Sequence, residues 1–233
     1  AYAPLCRGRV AAMQLISPDA TVLEETARHL ALWMSYEDAI RVADLKIRDT
    51  RFERVRGEVR ATAQQLLAID EYLHPRLQEI ADTLPAALGR RLLASGAPRR
   101  WVERWAARGR TVTTSSLHGF VQLWLVAALR RWRRATLRYE TENARIEAWL
   151  ADIARAAPAQ SELAAEIARC QRLVKGYGDT HERGWRNFER VMATLVRDHG
   201  ALSPAVLREL REAALADEQG QQFDAALARH ALA

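Results

Sequence analysis

The chain has 233 residues, 49% hydrophobic and 27% charged, which is the composition of a soluble globular protein. Only 11 glycines and 7 prolines interrupt it, and β-hairpin dipeptides are almost absent, which points to helix nearly throughout. The net charge is +6, and Lys46 and Lys175 are the only lysines among 35 basic residues. Two cysteines, Cys6 and Cys170, are too few for an iron–sulfur cluster or a thiolate zinc site, and they read as reduced cytosolic thiols.

Along the chain, the first twenty residues read as irregular, with Pro4 and Pro18 as breakers. A helix is predicted after them, with Ser17 or Asp19 as its cap. Tyr36, Ile40, Ala43 and Ile47, then Phe52, Val55, Val59 and Leu66, fall at helical spacing. They predict one long helix or two nearly collinear ones. Leu66, Ile69, Leu73, Leu77, Ile80 and Leu84 continue that stripe, with Pro75 kinking or restarting it. Pro85, Gly89, Gly96 and Pro98 mark a turn-rich middle, and residues 98–109 read as a short helix.

Residues 111–120, "TVTTSSLHGF", read as an extended connector or a helix cap. Beyond them Val121, Leu125, Ala128, Trp132, Ala135, Tyr139, Glu142, Ile146, Trp149 and Ile153 keep steps of three and four. This predicts one long central helix over about 116–156, packed against antiparallel partners. Leu163, Ile167, Cys170 and Val174 form the seam of the next helix. Trp185, Phe188 and Leu195 define another, and Ser203 with Pro204 opens a further one. The predicted fold class is all-α, a multi-helix bundle in one domain over 1–233, with a possible sub-boundary near 86–98. The longest apolar run, residues 120–129, is too short to span a bilayer. The chain opens on Ala1, which reads as a fragment of a longer protein.

The densest cluster of functional side chains is "LVKGYGDTHERGW", residues 173–185, read as a loop. Gly176, Gly178 and Gly184 suit positive φ or close approach of a ligand. Asp179, His181 and Glu182 offer acid–base groups, and Lys175 and Arg183 suit a carboxylate or phosphate. The competing reading is architectural: Gly176 ends one helix, Asp179 or Thr180 caps the next, and Tyr177 packs as an anchor. A second dense set is Tyr36, Glu37, Arg41 and Lys46, in which Glu37–Arg41 and Asp44–Arg48 have the i, i+4 spacing of helical ion pairs.

Several chemistries are excluded by motif. No phosphate-cradling loop and no dinucleotide fingerprint occurs. Gly178-Asp179 lacks the glycine that follows the aspartate in the thiamine diphosphate motif, and His181-Glu182 lacks the second histidine of a zincin. The six histidines are scattered, so no metal ligand set and no catalytic residue is assigned. Tryptophans beside arginines, as in "RRWRR", suit helix contacts, a protein interface or single-stranded nucleic acid, and the interface reading is preferred.

Two stretches, "LALWMSYEDAIRVADLKIR" (30–48) and "CQRLVKGYGDTHERG" (170–184), carry a resemblance. With "EYLHPRLQEIADTLPAALGRRL" and "RRWRRATLRYE" between them, the chain resembles the C-terminal helical region of bacterial indolepyruvate ferredoxin oxidoreductases. Within that family it is similar to the β-subunit-type, long-form 2-oxo acid oxidoreductases. The resemblance implies a cytoplasmic parent enzyme that decarboxylates aryl 2-oxo acids oxidatively, using thiamine diphosphate, iron–sulfur clusters, CoA and ferredoxin. Its partners would be an upstream oxidoreductase domain and a partner subunit. The fragment itself is expected to be an accessory or assembly domain without chemistry. The alternatives are a small-anion or CoA-type site on residues 175–184 and nucleic-acid binding through arginine and tryptophan, with no membrane role.

Overall fold

The computed structural model describes residues 2–36, 38–62, 64–73, 75–106, 109–174, 176, 178–197, 202–216 and 218–232. The fold is all-α, with thirteen α-helices and one two-stranded sheet among the described residues. In chain order the first helices are α1 (Tyr2–Ile16), α2 (Ala20–Met34), α3 (Ala39–Lys46) and α4 (Asp49–Glu58). Strand β1 (Asp70–Leu73) precedes α5 (Leu77–Thr83), α6 (Ala86–Leu93) and α7 (Ala97–Ala106). Strand β2 (Arg110–Thr113) leads into α8 (Leu117–Ala128), and two 3₁₀ turns separate α8 from α9 (Leu137–Ala156). The chain closes with α10 (Ser161–Arg169), α11 (Gly178–Arg197), α12 (Pro204–Ala216) and α13 (Gln221–Arg229).

The chain divides into two compact units. The first comprises Ala1–Tyr36 and Arg145–Ala233, the second Glu37–Ala144. The turn-rich residues 86–98 lie inside the second unit.

The first unit is built on a large apolar core from α1, α2, the second half of α9, and α10 to α13. At its centre Trp33 meets Trp149 at 5.5 Å between ring centroids and Phe188 edge-on at 5.6 Å. Trp149 donates its Nε1–H to the Ile167 carbonyl at 3.0 Å, which satisfies the polar atom of a residue only 1% exposed. Asp19 caps α2 as its sequence position suggests, accepting from Val22 N at 3.0 Å. Ser203 caps α12, with Pro204 as its first helical residue. Residues 2–16, expected to be irregular, are helical instead. Pro4 falls in the first turn of α1, where no intrahelical N–H bond is lost.

The second unit has a small core of Ala43, Val112, Leu123 and Ala127, where α3 packs on α8. β1 and β2 pair antiparallel, with Asp70 opposite Thr113 and Leu73 opposite Arg110. Helical spacing in 66–84 therefore misled: Ile69 and Leu73 flank or belong to a strand whose partner lies about 40 residues on, a pairing that local periodicity does not register. Pro75 does act as a break, and α5 starts at Leu77 after it. Residues 111–120 supply both the extended segment and the cap, since Ser116 accepts from Gly119 N at 3.1 Å.

The single helix expected over 116–156 is broken. Residues 129–135 form two 3₁₀ turns, and Thr136 is extended, with φ −74° and ψ 154°. Thr136 bridges to Pro85, Leu137 N donates to Leu84 O at 2.9 Å, and the Thr136 hydroxyl accepts from Tyr139 N at the start of α9. These bonds replace the helical ones and reset the phase. Glu142, Ile146, Trp149 and Ile153 are buried as predicted, whereas Val121, Leu125 and Trp132 are exposed.

Candidate functional site

The residues 173–185 are mostly not a loop. From Gly178 onward they are the first turns of α11. Gly176 and Gly178 have φ of 83° and 55°, so the turn does use glycine for left-handed backbone. A Cβ at Gly176 would also approach Thr180 Cγ2 at 2.7 Å. Lys175, Tyr177 and Glu37 lie outside the described residues. At about 100° per helical residue, Asp179, Glu182 and Arg183 share one side of α11 and His181 lies on the other. Asp179 and Glu182 are exposed and His181 half-buried. Arg183 donates to Glu218 at 3.2 Å.

The second predicted set is resolved into structural pairs. Tyr36, half-buried in the first unit, follows α2 with its N–H on the Trp33 carbonyl. Arg41 donates to Asp44 at 3.0 Å, and Arg48 reaches the same carboxylate at 2.6 Å. The Arg48 hydrogen bond is the main reason the Asp44 carboxyl titrates below its ordinary value. Lys46 and Arg51 both donate to Glu71 of β1, so the unusual lysine ties α3 to the sheet. Asp38 caps α3 through Arg41 N at 2.8 Å and also accepts from Arg133 at 2.6 Å.

The most elaborate polar arrangement was not predicted. Glu166 of α10 is fully buried, and four hydrogen bonds converge on it. Oε1 accepts from Arg169 at 2.6 Å and from Arg208 Nε and Nη2 at 3.0 and 2.9 Å. Oε2 accepts from Arg211, itself only 3% exposed. Burial alone would raise the Glu166 carboxyl, but the bonds from Arg208, Arg211 and Arg169 outweigh it and hold the carboxyl below its ordinary value. A second layer surrounds the cluster. Arg169 reaches Glu25 at 3.1 Å, Glu25 lies 3.4 Å from His29 Nε2, and His29 Nδ1 pairs with Gln171 Oε1 at 3.1 Å. Burial is the main cause that lowers the His29 pKa.

Oε1 takes three of these bonds and Oε2 one, from arginines on α10 and α12. Glu166 is thus an ionised structural tie between α10 and α12. The sequence did carry a signal: Glu166 sits between Leu163, Ile167 and Cys170 in an apolar seam, where an acid needs an internal partner.

The open surface lies in the second unit. A groove of about 590 Å³ is lined by Phe52, Arg56, Leu66, Leu67, Leu117 and Phe120, together with Thr114 and Ser115. Leu117 also begins an outward stripe on α8. Leu117 is 81% exposed, Val121 42%, Trp124 52% and Leu125 57%, at spacings of four, three and one. Gly119, Leu123 and Ala127 form the opposite, buried face. No charged residue occurs in α8.

Among the described residues, no group of three or more His, Cys, Asp or Glu could hold a metal ion, and no helix is long and apolar enough to cross a membrane. Cys170 is fully buried and its thiol is pushed up to about 12, mainly by burial. A cysteine that ligates a metal has to be a thiolate, and burial disfavours that form of Cys170.

Residues 1–194 match a family described as a family of unknown function (DUF6537), and the chain belongs to that family. No curated protein and no solved structure matches the chain.

Proposed function

We propose that this chain is a helical accessory domain that assembles an indolepyruvate (aryl 2-oxo acid) ferredoxin oxidoreductase and performs none of its chemistry. The observation that carries this reading is the division of labour among its side chains. The buried acid of the first unit is held by three arginines, while the second unit presents an uncharged apolar helix face and a groove to its surroundings. Exposed apolar patches of this kind mark binding surfaces. The resemblance of residues 30–48 and 170–184 to the helical region of these oxidoreductases supplies the enzyme class.

In this proposal thiamine diphosphate, the iron–sulfur clusters and CoA are held by other parts of the oxidoreductase, which is cytoplasmic and reduces ferredoxin. The test has two arms. The purified chain, given indolepyruvate, thiamine diphosphate, CoA and ferredoxin, is expected to give no turnover. The gene product that carries this sequence is expected to lose assembly when residues 1–233 are deleted. Turnover by the chain alone contradicts the proposal, as does a fully assembled and active deletion product.

A further inference from the structure

We infer that the groove and the outward stripe of α8 form one docking surface for an acidic protein. Its partner lays an apolar segment along Leu117, Val121, Trp124 and Leu125, seats one apolar side chain in the groove, and brings carboxylates to the arginines beyond the end of α8. This holds for any acidic partner, whether or not it belongs to a 2-oxo acid oxidoreductase.

The phase of α8 is the first argument. Its inner face, Gly119, Leu123 and Ala127, is already spent on β2 and α3, so the outward apolar residues stand outside this unit's core. Gly119 also locks the phase, because a Cβ there would collide with the Thr113 carbonyl. The exposed stripe is therefore fixed in place rather than free to rotate inward. Its residues are costly to leave in water, at roughly 25 cal/mol per Å² of apolar surface.

The second argument is continuity. Leu117 is both a wall of the groove and the first residue of the stripe, and Phe120 lies one turn from it on the same wall. Interfaces concentrate their energy where a large apolar side chain fills such a pocket, with neighbouring contacts excluding water.

Charge names the partner. Residues 37–144 carry 20 basic and 13 acidic side chains, against 15 and 16 in the rest of the chain, so the net positive charge resides entirely in the second unit. Residues 104–139, which contain α8, hold eight arginines and no aspartate or glutamate. Arg130, Arg131 and Arg134, all exposed, directly follow the helix, and Trp132 stands among them at 67% exposed. Arg131 has no carboxylate partner among the described residues, and the Asp44 carboxylate lies 3.7 Å from Arg130. An apolar centre bordered by one sign of charge selects a partner with the opposite border.

A protein fits this surface better than other anionic partners. A lipid surface does not fill a concavity. Single-stranded nucleic acid stacks on aromatic rings, whereas Leu117, Val121 and Leu125 are aliphatic. Arginine and tryptophan beside aliphatic residues are the composition of a protein interface.

The test uses the full 233-residue chain and a fluorescein-labelled helical peptide with leucine along one face and glutamate elsewhere, read by anisotropy. Saturable binding is expected that weakens with salt and is at least about tenfold tighter than for the lysine counterpart of the peptide. Leu117→Asp and Leu125→Asp are each expected to weaken binding about tenfold or more, and Arg131→Glu by less. Leu32→Asp, on an exposed position of α2, is expected to leave binding unchanged. If Leu125→Asp lowers the thermal midpoint, Leu117→Asp and Trp132→Glu carry the test. Four results overturn the inference: equal affinity for the two peptides, no binding of the acidic peptide, tighter binding to single-stranded DNA or phosphatidylglycerol vesicles, or a dimer of the chain that these substitutions dissolve.

Discussion

The two units use the same amino acids in opposite ways. In the first unit Trp33 and Trp149 are buried, and Trp185 is half-buried beneath the Arg145 guanidinium, 3.6 Å from its ring centroid. In the second, Trp101, Trp105, Trp124 and Trp132 are all exposed. Among arginines the contrast is local: Arg169, Arg208 and Arg211 converge on the buried Glu166 and Arg138 pairs with the buried Glu142, whereas Arg130, Arg131 and Arg134 beyond α8 stand at the surface. Composition therefore does not assign a role to an arginine–tryptophan protein. The role follows from whether a helix has a second face to bury.

The largest effect is expected where the first unit's interior charge is broken. Glu166→Ala removes the buried carboxylate shared by Arg169, Arg208 and Arg211, leaves Arg211 with Glu212 alone, and is expected to cost about 3 kcal/mol in urea unfolding. Arg211→Ala is expected to cost less, because Arg169 and Arg208 still serve Glu166, and the double variant less than the sum, because the two residues share a hydrogen bond. A loss below about 1 kcal/mol for Glu166→Ala would place the tie on the surface and erase the contrast between the units.

A smaller loss is expected from Gly119→Ala in the second unit, about 1–3 kcal/mol, since the Thr113 backbone has to move to admit the methyl group. An unchanged midpoint would mean that α8 is free to turn its stripe inward.

Acid sharpens the comparison further. His29 has a lowered pKa in the folded chain, so the unfolded chain takes up its proton first as pH falls through 6.5. The stability it contributes is complete above 6.5 and is lost as pH falls through the folded value. Glu166 has the same sign below 4.5, because its lowered carboxyl is ionised in the fold where the unfolded group protonates. Unfolding free energy is expected to decline from neutral to mildly acidic pH, and His29→Gln, placed against Gln171, is expected to flatten that first decline. A pH-independent wild type would contradict the buried network.

The smallest effect on stability is expected on the outward stripe. Leu117→Asp, at a site 81% exposed, is expected to shift the unfolding free energy by no more than about 0.5 kcal/mol. A loss above about 2 kcal/mol would show that the residue serves this chain's own core.

How much of this was legible in the sequence depends on how polar each helix is. α2, α10 and α12 have polar faces, so their period is readable from the sequence, and Asp19, Ser203 and Pro204 also mark where α2 and α12 begin. α8, "LHGFVQLWLVAA", has apolar residues nearly all round, so spacing could not say which side is buried. Spacing selects Val121 and Leu125, whereas the structure buries Leu123 and Ala127. The break at Thr136 was hidden because its bonds go to Leu84 and Pro85, some fifty residues earlier. Gly176 and Gly178 have the left-handed backbone that the sequence suggests, and Asp179, Glu182 and Arg183 lie on one side of α11 rather than in a loop, because the helix starts at Gly178. Glu166 was visible as an acid inside an apolar seam, and its partners on α12 were not.

The most direct measurement is sedimentation velocity of the gene product that carries this sequence, with and without Leu117→Asp and Leu125→Asp together. The account predicts that the double variant keeps its helical circular dichroism and thermal midpoint and sediments as separated components. An assembly that stays intact and fully active in the double variant would contradict it.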